Sequence, residues 1–182
     1  PFFIAGVATL AYELVEQLNW EAPEAVIIPV GNGSLALGLF TGFKLLKKSG
    51  LISFMPQLIA VQAAACAPLA TAFFSGDQNP ATISKKPTLA EGIASQTPPR
   101  GQEVLAAVRT SGGTFITVEE KEILAGIRDL AERGLYVEPT AATVAAALKK
   151  LIASDELPNG HHIIAVLTGS GLKATDKLQE LT

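Results

Sequence analysis

Gly31-Asn32-Gly33-Ser34 is the stretch of this chain with the plainest capacity for chemistry. Glycine has no Cβ, so a turn built on two of them can bend sharply and bring its backbone close to a ligand. If a helix starts directly after the turn, its first amides have no acceptor within the helix. Together with the helix dipole they form a site for an anion, most naturally a phosphate. The spacing is neither G-x-G-x-x-G nor the P-loop, because the third glycine and the lysine those motifs need are missing. A plain strand-to-helix turn accounts for the same residues as well as a phosphate site does. The second candidate is Leu167-Thr168-Gly169-Ser170-Gly171-Leu172-Lys173. A threonine hydroxyl both donates and accepts, so Thr168 could meet a ring nitrogen. A glycine-rich turn that Thr168 merely caps is the alternative.

Other reactive residue types stand in arrangements that lead elsewhere. Ser34 lies in Gly33-Ser34-Leu35, which is not a G-x-S-x-G elbow, and no histidine is linked to it, so a serine hydrolase is disfavoured. Glu91 and Glu138 are single acids near helix starts, where the helix dipole explains them. Lys85, Lys86 and Arg100 fall in loop segments and read as solvated charge. Cys66 sits in the apolar run Ala63-Ala64-Ala65-Cys66-Ala67 and reads as a small buried hydrophobe; alone, it forms no internal disulfide. His161 and His162 are adjacent, so on a strand they would face opposite ways, a poor arrangement for joint metal binding. They mark a turn before a strand.

The elements that must position the two glycine-rich turns are readable from periodicity. Thr9 to Leu18 carries Leu10, Leu14, Val15 and Leu18 at helical spacing, and Asn19 marks its end. Ala25 to Val30 is short, β-branched and apolar without alternation, as a strand buried on both faces reads. Pro29 belongs at its C-terminal end. A helix from Leu35 to Lys48 follows, with Lys44, Lys47 and Lys48 toward its negative end and Gly50 beyond. Leu58–Val61, Thr114–Val118 and Ile163–Leu167 repeat the buried-strand pattern, and helices are predicted over Gln102–Thr110, Glu119–Arg133 and Thr140–Ala153. Ser75 to Pro87 reads as an exposed loop. The alternation predicts an α/β fold, a parallel sheet with helices on both faces. Ligands collect at the carboxyl edge of such a sheet, where both turns would lie.

Bulk properties set the outer limits. The 182 residues suit one compact domain. A formal net charge of -3, with no arginine strip and no interleaving of aromatic and basic residues, gives no case for nucleic acid or an anionic membrane surface. No apolar run reaches the ~18–20 residues of a membrane span. The stretch from Leu58 to Phe74 comes nearest and is interrupted by Gln62 and Pro68. The start at Pro1 shows neither an initiator Met nor a basic leader, which points to a fragment and to cytoplasmic residence.

Read together and in order, several stretches resemble the threonine synthases, within the fold-type II group of pyridoxal-phosphate enzymes. They are Pro1-Phe2-Phe3-Ile4-Ala5-Gly6, Ala11-Tyr12-Glu13, Pro29-Val30-Gly31-Asn32-Gly33-Ser34, Gly42-Phe43-Lys44 and Val61-Gln62-Ala63. Further on come Thr88 to Ala94, Val137-Glu138-Pro139-Thr140-Ala141 and Leu167 to Lys173. Threonine/serine dehydratases and cysteine synthases share the glycine loop and the Ala-Glu-Gly stretch; the opening Pro-Phe and Ala-Tyr-Glu favour the synthase. The resemblance implies the three-layer, tryptophan synthase beta-like large domain over residues 1–182. It implies pyridoxal 5'-phosphate held by Gly31, Asn32, Gly33, Ser34 and Leu35, with Thr168 facing the pyridine nitrogen. It also implies an amino-acid substrate: O-phospho-L-homoserine and water giving L-threonine and phosphate. The group's Schiff-base lysine lies upstream, in a segment this chain is expected to lack along with the small lobe. Lys44, Lys47, Lys48 and Lys173 do not match its position, so the chain alone is expected to be inactive. A non-catalytic anion-binding module is the reading of another class. A homodimer is compatible with the sequence, which does not fix the oligomeric state.

Overall fold

The computed structural model describes residues 2–157 and 162–176. Its centre is a four-stranded parallel sheet in the order β3-β2-β1-β4, with β1 Ala25–Pro29, β2 Gln57–Ala63, β3 Thr114–Val118 and β4 Ile163–Ala165. Seven helices accompany it among the described residues: α1 Phe3–Val7, α2 Thr9–Gln17, α3 Ser34–Lys48, α4 Pro68–Phe74, α5 Gly101–Thr110, α6 Glu120–Glu132 and α7 Pro139–Ser154. The predicted α/β architecture is the observed one. Helices α1 and α4 are additions to it.

The lack of alternation in β1 and β2 follows from burial on both faces. Val26 and Ile28 of β1, with Leu58 and Ala60 of β2, join a core with α2, α3, α4 and α5 that includes Val15, Leu39, Phe43, Leu69 and Leu105. Ala25, Ile27, Ile59 and Val61 project into the opposite core with Ile123 of α6 and Ala141, Val144 and Ala147 of α7. Successive side chains along a strand point to opposite faces, so a strand covered on both is apolar on both, and a polar residue in it, such as Gln62, needs buried partners. Pro29 costs no ladder bond. Val30 N–H donates to Val61 O while Val166 N–H donates to Ile27 O, so odd-numbered residues of β1 face β4, whose pairing has ended at Ile27.

Strand β4 departs from expectation. It runs only from Ile163 to Ala165 and is half-buried throughout. It sits at a sheet edge, paired with β1 alone among the described strands, so it lacks the cover that buries β1 and β2. His162 precedes it, its N–H donating to Glu24 Oε2 at 2.8 Å and its carbonyl accepting from Glu24 N–H at 2.9 Å. His161 lies outside the described residues. Among those described, no helix is long and apolar enough to cross a membrane.

Two features generate direct tests. Gly126 of α6 lies where a Cβ would come within 2.7 Å of the Ala142 carbonyl oxygen of α7. Gly→Ala inside a helix usually stabilises by ~0.5–1 kcal/mol, whereas overpacking costs ~1–3 kcal/mol, so the contact wins. Gly126→Ala should lower the urea midpoint at unchanged slope; a raised midpoint would show that the two helices part at no cost. Cys66, fully buried at the end of a short 3-10 turn, has its thiol pushed above the usual cysteine range by burial, with Lys85 pulling weakly the other way. It should resist an aromatic disulfide reagent in the native chain and react fully in denaturant. Fast reaction of the native chain would contradict its assignment as inert core.

Candidate cofactor site

Strand order reverses at the β1–β4 pair: β1, β2 and β3 follow one another outward, and β4 returns to the other flank of β1. Such a reversal opens a crevice at the carboxyl ends of the two strands. The register is Ile27 opposite Ala165, in parallel. The turn after β1 and the turn after β4 therefore leave the same rim. Gly31, Asn32, Gly33, Ser34 and Leu35 are thus brought to one edge of the sheet with Thr168.

The turn after β1 is shaped by its own chain. Gly33, at φ +88°, takes a left-handed conformation that costs other residues strain, and it stands as N-cap of α3. A Cβ there would lie 2.1 Å from Val104 Cγ2. At Gly31 a Cβ would come within 2.9 Å of Ile93 Cα and 3.2 Å of the Gly92 carbonyl oxygen, so a side chain would press on backbone. The sequence suggests that these glycines leave space for a ligand. Their missing side chains instead face the protein, and what they supply is a turn drawn tight against the segment 92–93 and α5. Asn32 is exposed, and its Oδ1 accepts a 2.7 Å hydrogen bond from Ser95 Oγ, tying the turn to the same neighbour.

The donor set at this turn is unlike that after β2 or β3. Leu37 N–H donates to Gly33 O, so the amides of Ser34, Leu35 and Ala36 precede the first helical bond and have no acceptor within α3. No side chain caps α3, and its first turn holds no acid. After β2, by contrast, Gln62 Oε1 accepts from both Leu69 N–H and Ala70 N–H of α4, at 3.0 Å each. After β3, Glu119 and Glu122 close a capping box on α6. A half-buried pair, Ser34 and Leu35, therefore marks an open positive helix end beside the crevice. Such a donor set suits a phosphate ester: several convergent N–H groups, a helix dipole and no competing carboxylate.

Thr168 is exposed on the facing turn. That turn is stitched to the entry of α7. Glu138 N–H donates to Gly169 O at 3.0 Å, Gly171 N–H donates to Tyr136 O at 3.0 Å, and Val137 bridges Ser170 antiparallel. A Cβ on Gly169 would meet the Glu138 carboxylate 2.2 Å away. A cleft of about 430 Å³ opens beside it, lined among others by Glu91, Gly92, Glu138, Thr140 and Lys173. Sequence reasoning treats Glu91 and Glu138 as unrelated acids at helix starts; here both border one cleft. No local signal joins residues so far apart in the chain, and only the packing of Gly92 against Thr140 does so. Gln62, in sequence an interruption of an apolar run, proves to be the cap of α4. Lys44, Lys47 and Lys48 are exposed toward the far end of α3, which at 1.5 Å per residue puts them about 15 Å or more from the turn. Among the described residues, no group of His, Cys, Asp and Glu could hold a metal ion.

Comparison with known proteins places this geometry. Residues 1–169 match the family described as "Pyridoxal-phosphate dependent enzyme". The threonine synthase of Methanocaldococcus jannaschii is 33% identical over 177 residues, which are 97% of this chain and 44% of that protein. The threonine synthase of Synechocystis sp. is 38% identical over 178 residues, again 97% of this chain and 44% of that protein. The chain thus spans less than half the length of these curated relatives. Among solved structures, a threonine deaminase from T.th. superimposes with a TM-score of 0.72 at 28% identity, covering 94% of this chain and 52% of that one. A fungal L-serine ammonia-lyase from Rhizomucor miehei gives 0.78 at 22% identity, covering 97% and 56%, a likeness of fold alone. With its family matched over all but the last residues and its parallel sheet shared with these enzymes, the chain belongs to the pyridoxal-phosphate dependent enzymes.

Proposed function

We propose that this chain is the cofactor-phosphate-binding part of a threonine synthase, whose whole protein converts O-phospho-L-homoserine and water to L-threonine and phosphate. The observation that carries the reading is the uncapped start of α3 beside the β1–β4 crevice, facing the turn that bears Thr168. The amides of Gly31, Asn32, Gly33, Ser34 and Leu35 would hold the phosphate of pyridoxal 5'-phosphate. The Thr168 hydroxyl would meet its ring nitrogen. When bound, the cofactor supplies an electron sink for carbanion chemistry at the substrate's carbon atoms. A hydroxyl at Thr168 does not force the ring nitrogen to stay protonated as a carboxylate would, so this chain moderates that sink. The backbone of the turn contributes binding and orientation without a titrating group, so the grip on the phosphate should not depend on side-chain protonation.

The relatives at 33% and 38% identity are threonine synthases, which favours the synthase. The threonine deaminase likeness at 28% identity keeps a dehydratase of the same fold as the second reading. Assay of the whole protein with O-phosphohomoserine, threonine and O-acetylserine separates synthase, dehydratase and cysteine synthase. A small amino-acid substrate and cytoplasmic residence belong to the same proposal. So does the assignment of the proton-moving lysine to none of Lys44, Lys47, Lys48 and Lys173.

The phosphate assignment has a test in which stability and binding move in opposite directions. Ser34→Asp puts a carboxylate at the first position of α3, where it should stabilise the helix by ~0.3–1 kcal/mol. The same charge should repel the phosphate and weaken pyridoxal phosphate binding by at least tenfold, read from the cofactor's absorbance on titration into the purified chain. A variant that is stabilised and binds as well as the parent would remove α3 from the site. Thr168→Val should leave the fold intact and weaken cofactor binding by ~1 kcal/mol, the net worth of one neutral hydrogen bond. An unchanged dissociation constant would take Thr168 out of the site.

A further inference from the structure

Gln62 is a buried polar side chain in the middle of apolar strand and helix, with none of its surface exposed. A primary amide buried that deeply is costly unless its polar atoms are paired. Its Nε2 donates to the Val30 carbonyl oxygen at 3.1 Å, and its Oε1 accepts from Leu69 N–H and Ala70 N–H. The amide orientation is fixed by this set, because two N–H donors need the oxygen and a carbonyl needs the nitrogen.

The two ends of Gln62 act on two neighbouring helix starts in opposite ways. At α4 the oxygen takes up orphan amides and so closes that end to anions. At β1 the nitrogen acts on the residue just before the glycine turn. Val30 N–H is already held by Val61 O at 2.8 Å, so Gln62 pins the other end of the same residue to β2. The Val30 carbonyl and the Gly31 amide belong to one planar peptide and point in opposite directions. Holding that carbonyl toward Gln62 turns the Gly31 N–H away from β2. Gly31 cannot relax freely, since the backbone of Gly92 and Ile93 fills the space where a Cβ would stand.

We propose that Gln62 is a positioning residue of the phosphate turn: it sets the plane of the Val30–Gly31 peptide, and with it the first amide of the anion site, while closing α4, so that α3 alone of the helices following β1, β2 and β3 starts open. The inference rests on the phosphate reading of that turn. It assigns no contact between Gln62 and any ligand.

Two substitutions separate its two bonds. Gln62→Met keeps the volume and removes all three hydrogen bonds. Gln62→Glu keeps an oxygen acceptor for α4, where two amides and the helix dipole favour the ionised form, and loses the donor to Val30. Three quantities are read for the unsubstituted chain and both variants at pH 8: the dissociation constant of pyridoxal phosphate, the thermal midpoint, and the Gly31 amide resonance without ligand. Both variants should bind pyridoxal phosphate about tenfold more weakly and shift the Gly31 resonance. Gln62→Met should also lose thermal stability. A role confined to stability would lower the midpoint and leave both the dissociation constant and the Gly31 resonance of the folded chain where they were, and that result would overturn the proposal. Weaker binding with an unmoved Gly31 resonance would overturn it too, because the effect would then arise elsewhere. If Gln62→Met fails to fold, Gln62→Glu decides. Should the unsubstituted chain bind no pyridoxal phosphate, the phosphate reading itself fails; binding that is intact in every variant fails Gln62 alone.

Discussion

A backbone amide buried or half-buried without an acceptor is a cost that folded chains rarely leave standing. In this molecule the amides at the start of α3 have no helical acceptor and no capping side chain, and they sit at the rim where β1 and β4 part. Of the three helices that follow β1, β2 and β3, α3 is the one whose start is left open. The capping box closes α6. Gln62 closes α4. No acid enters the first turn of α3. The arrangement makes sense when an external anion completes the hydrogen bonding, and a phosphate ester supplies acceptor oxygens in that geometry.

Keeping such an end open demands rigidity around it. The turn achieves this through one backbone contact and two side-chain contacts. Gly31 lies against the 92–93 backbone, Gly33 against Val104, and Asn32 is linked to Ser95. The facing turn is held too, its carbonyls and amides paired with residues 136–138 at the entry to α7. Thr168 thus projects from a segment anchored to the helix layer opposite the one that contains α3. A ligand bridging the two turns would connect both faces of the sheet. This is why a parallel sheet with a reversal of strand order suits a cofactor with a phosphate at one end and a ring at the other.

Much of this was legible in the sequence, for reasons specific to each element. Ala25 to Val30 announced a doubly covered strand because every position is apolar, and β3 matched its predicted bounds at Thr114 and Val118. The glycine turn and the start of α3 were readable because φ > 0 at a helix N-cap favours glycine, which stands at position 33. Helix α4 was hidden: Pro68, Leu69, Ala70 and Ala72 are buried, and because its exposed positions include Phe74 beside Thr71 it shows no polar stripe. Strand β4 read as buried because its residues are apolar, but burial depends on neighbours, and an edge strand has fewer. Gln62 left a trace that local reading could not interpret. One polar residue in an apolar run says that a bond exists and not with whom, since its partners at Val30 and Leu69 are fixed by tertiary structure. The joining of Glu91 to Glu138 across one cleft left no trace at all.

The most direct measurement is a crystal structure of this chain grown or soaked with pyridoxal phosphate. The account predicts the phosphorus in front of α3, with its oxygens at ordinary hydrogen-bonding distance, ~2.7–3.2 Å, from the amides of Gly33, Ser34 and Leu35, and the ring reaching toward Thr168. A phosphate lodged instead against Lys85 and Lys86, or at any other helix start, would contradict it.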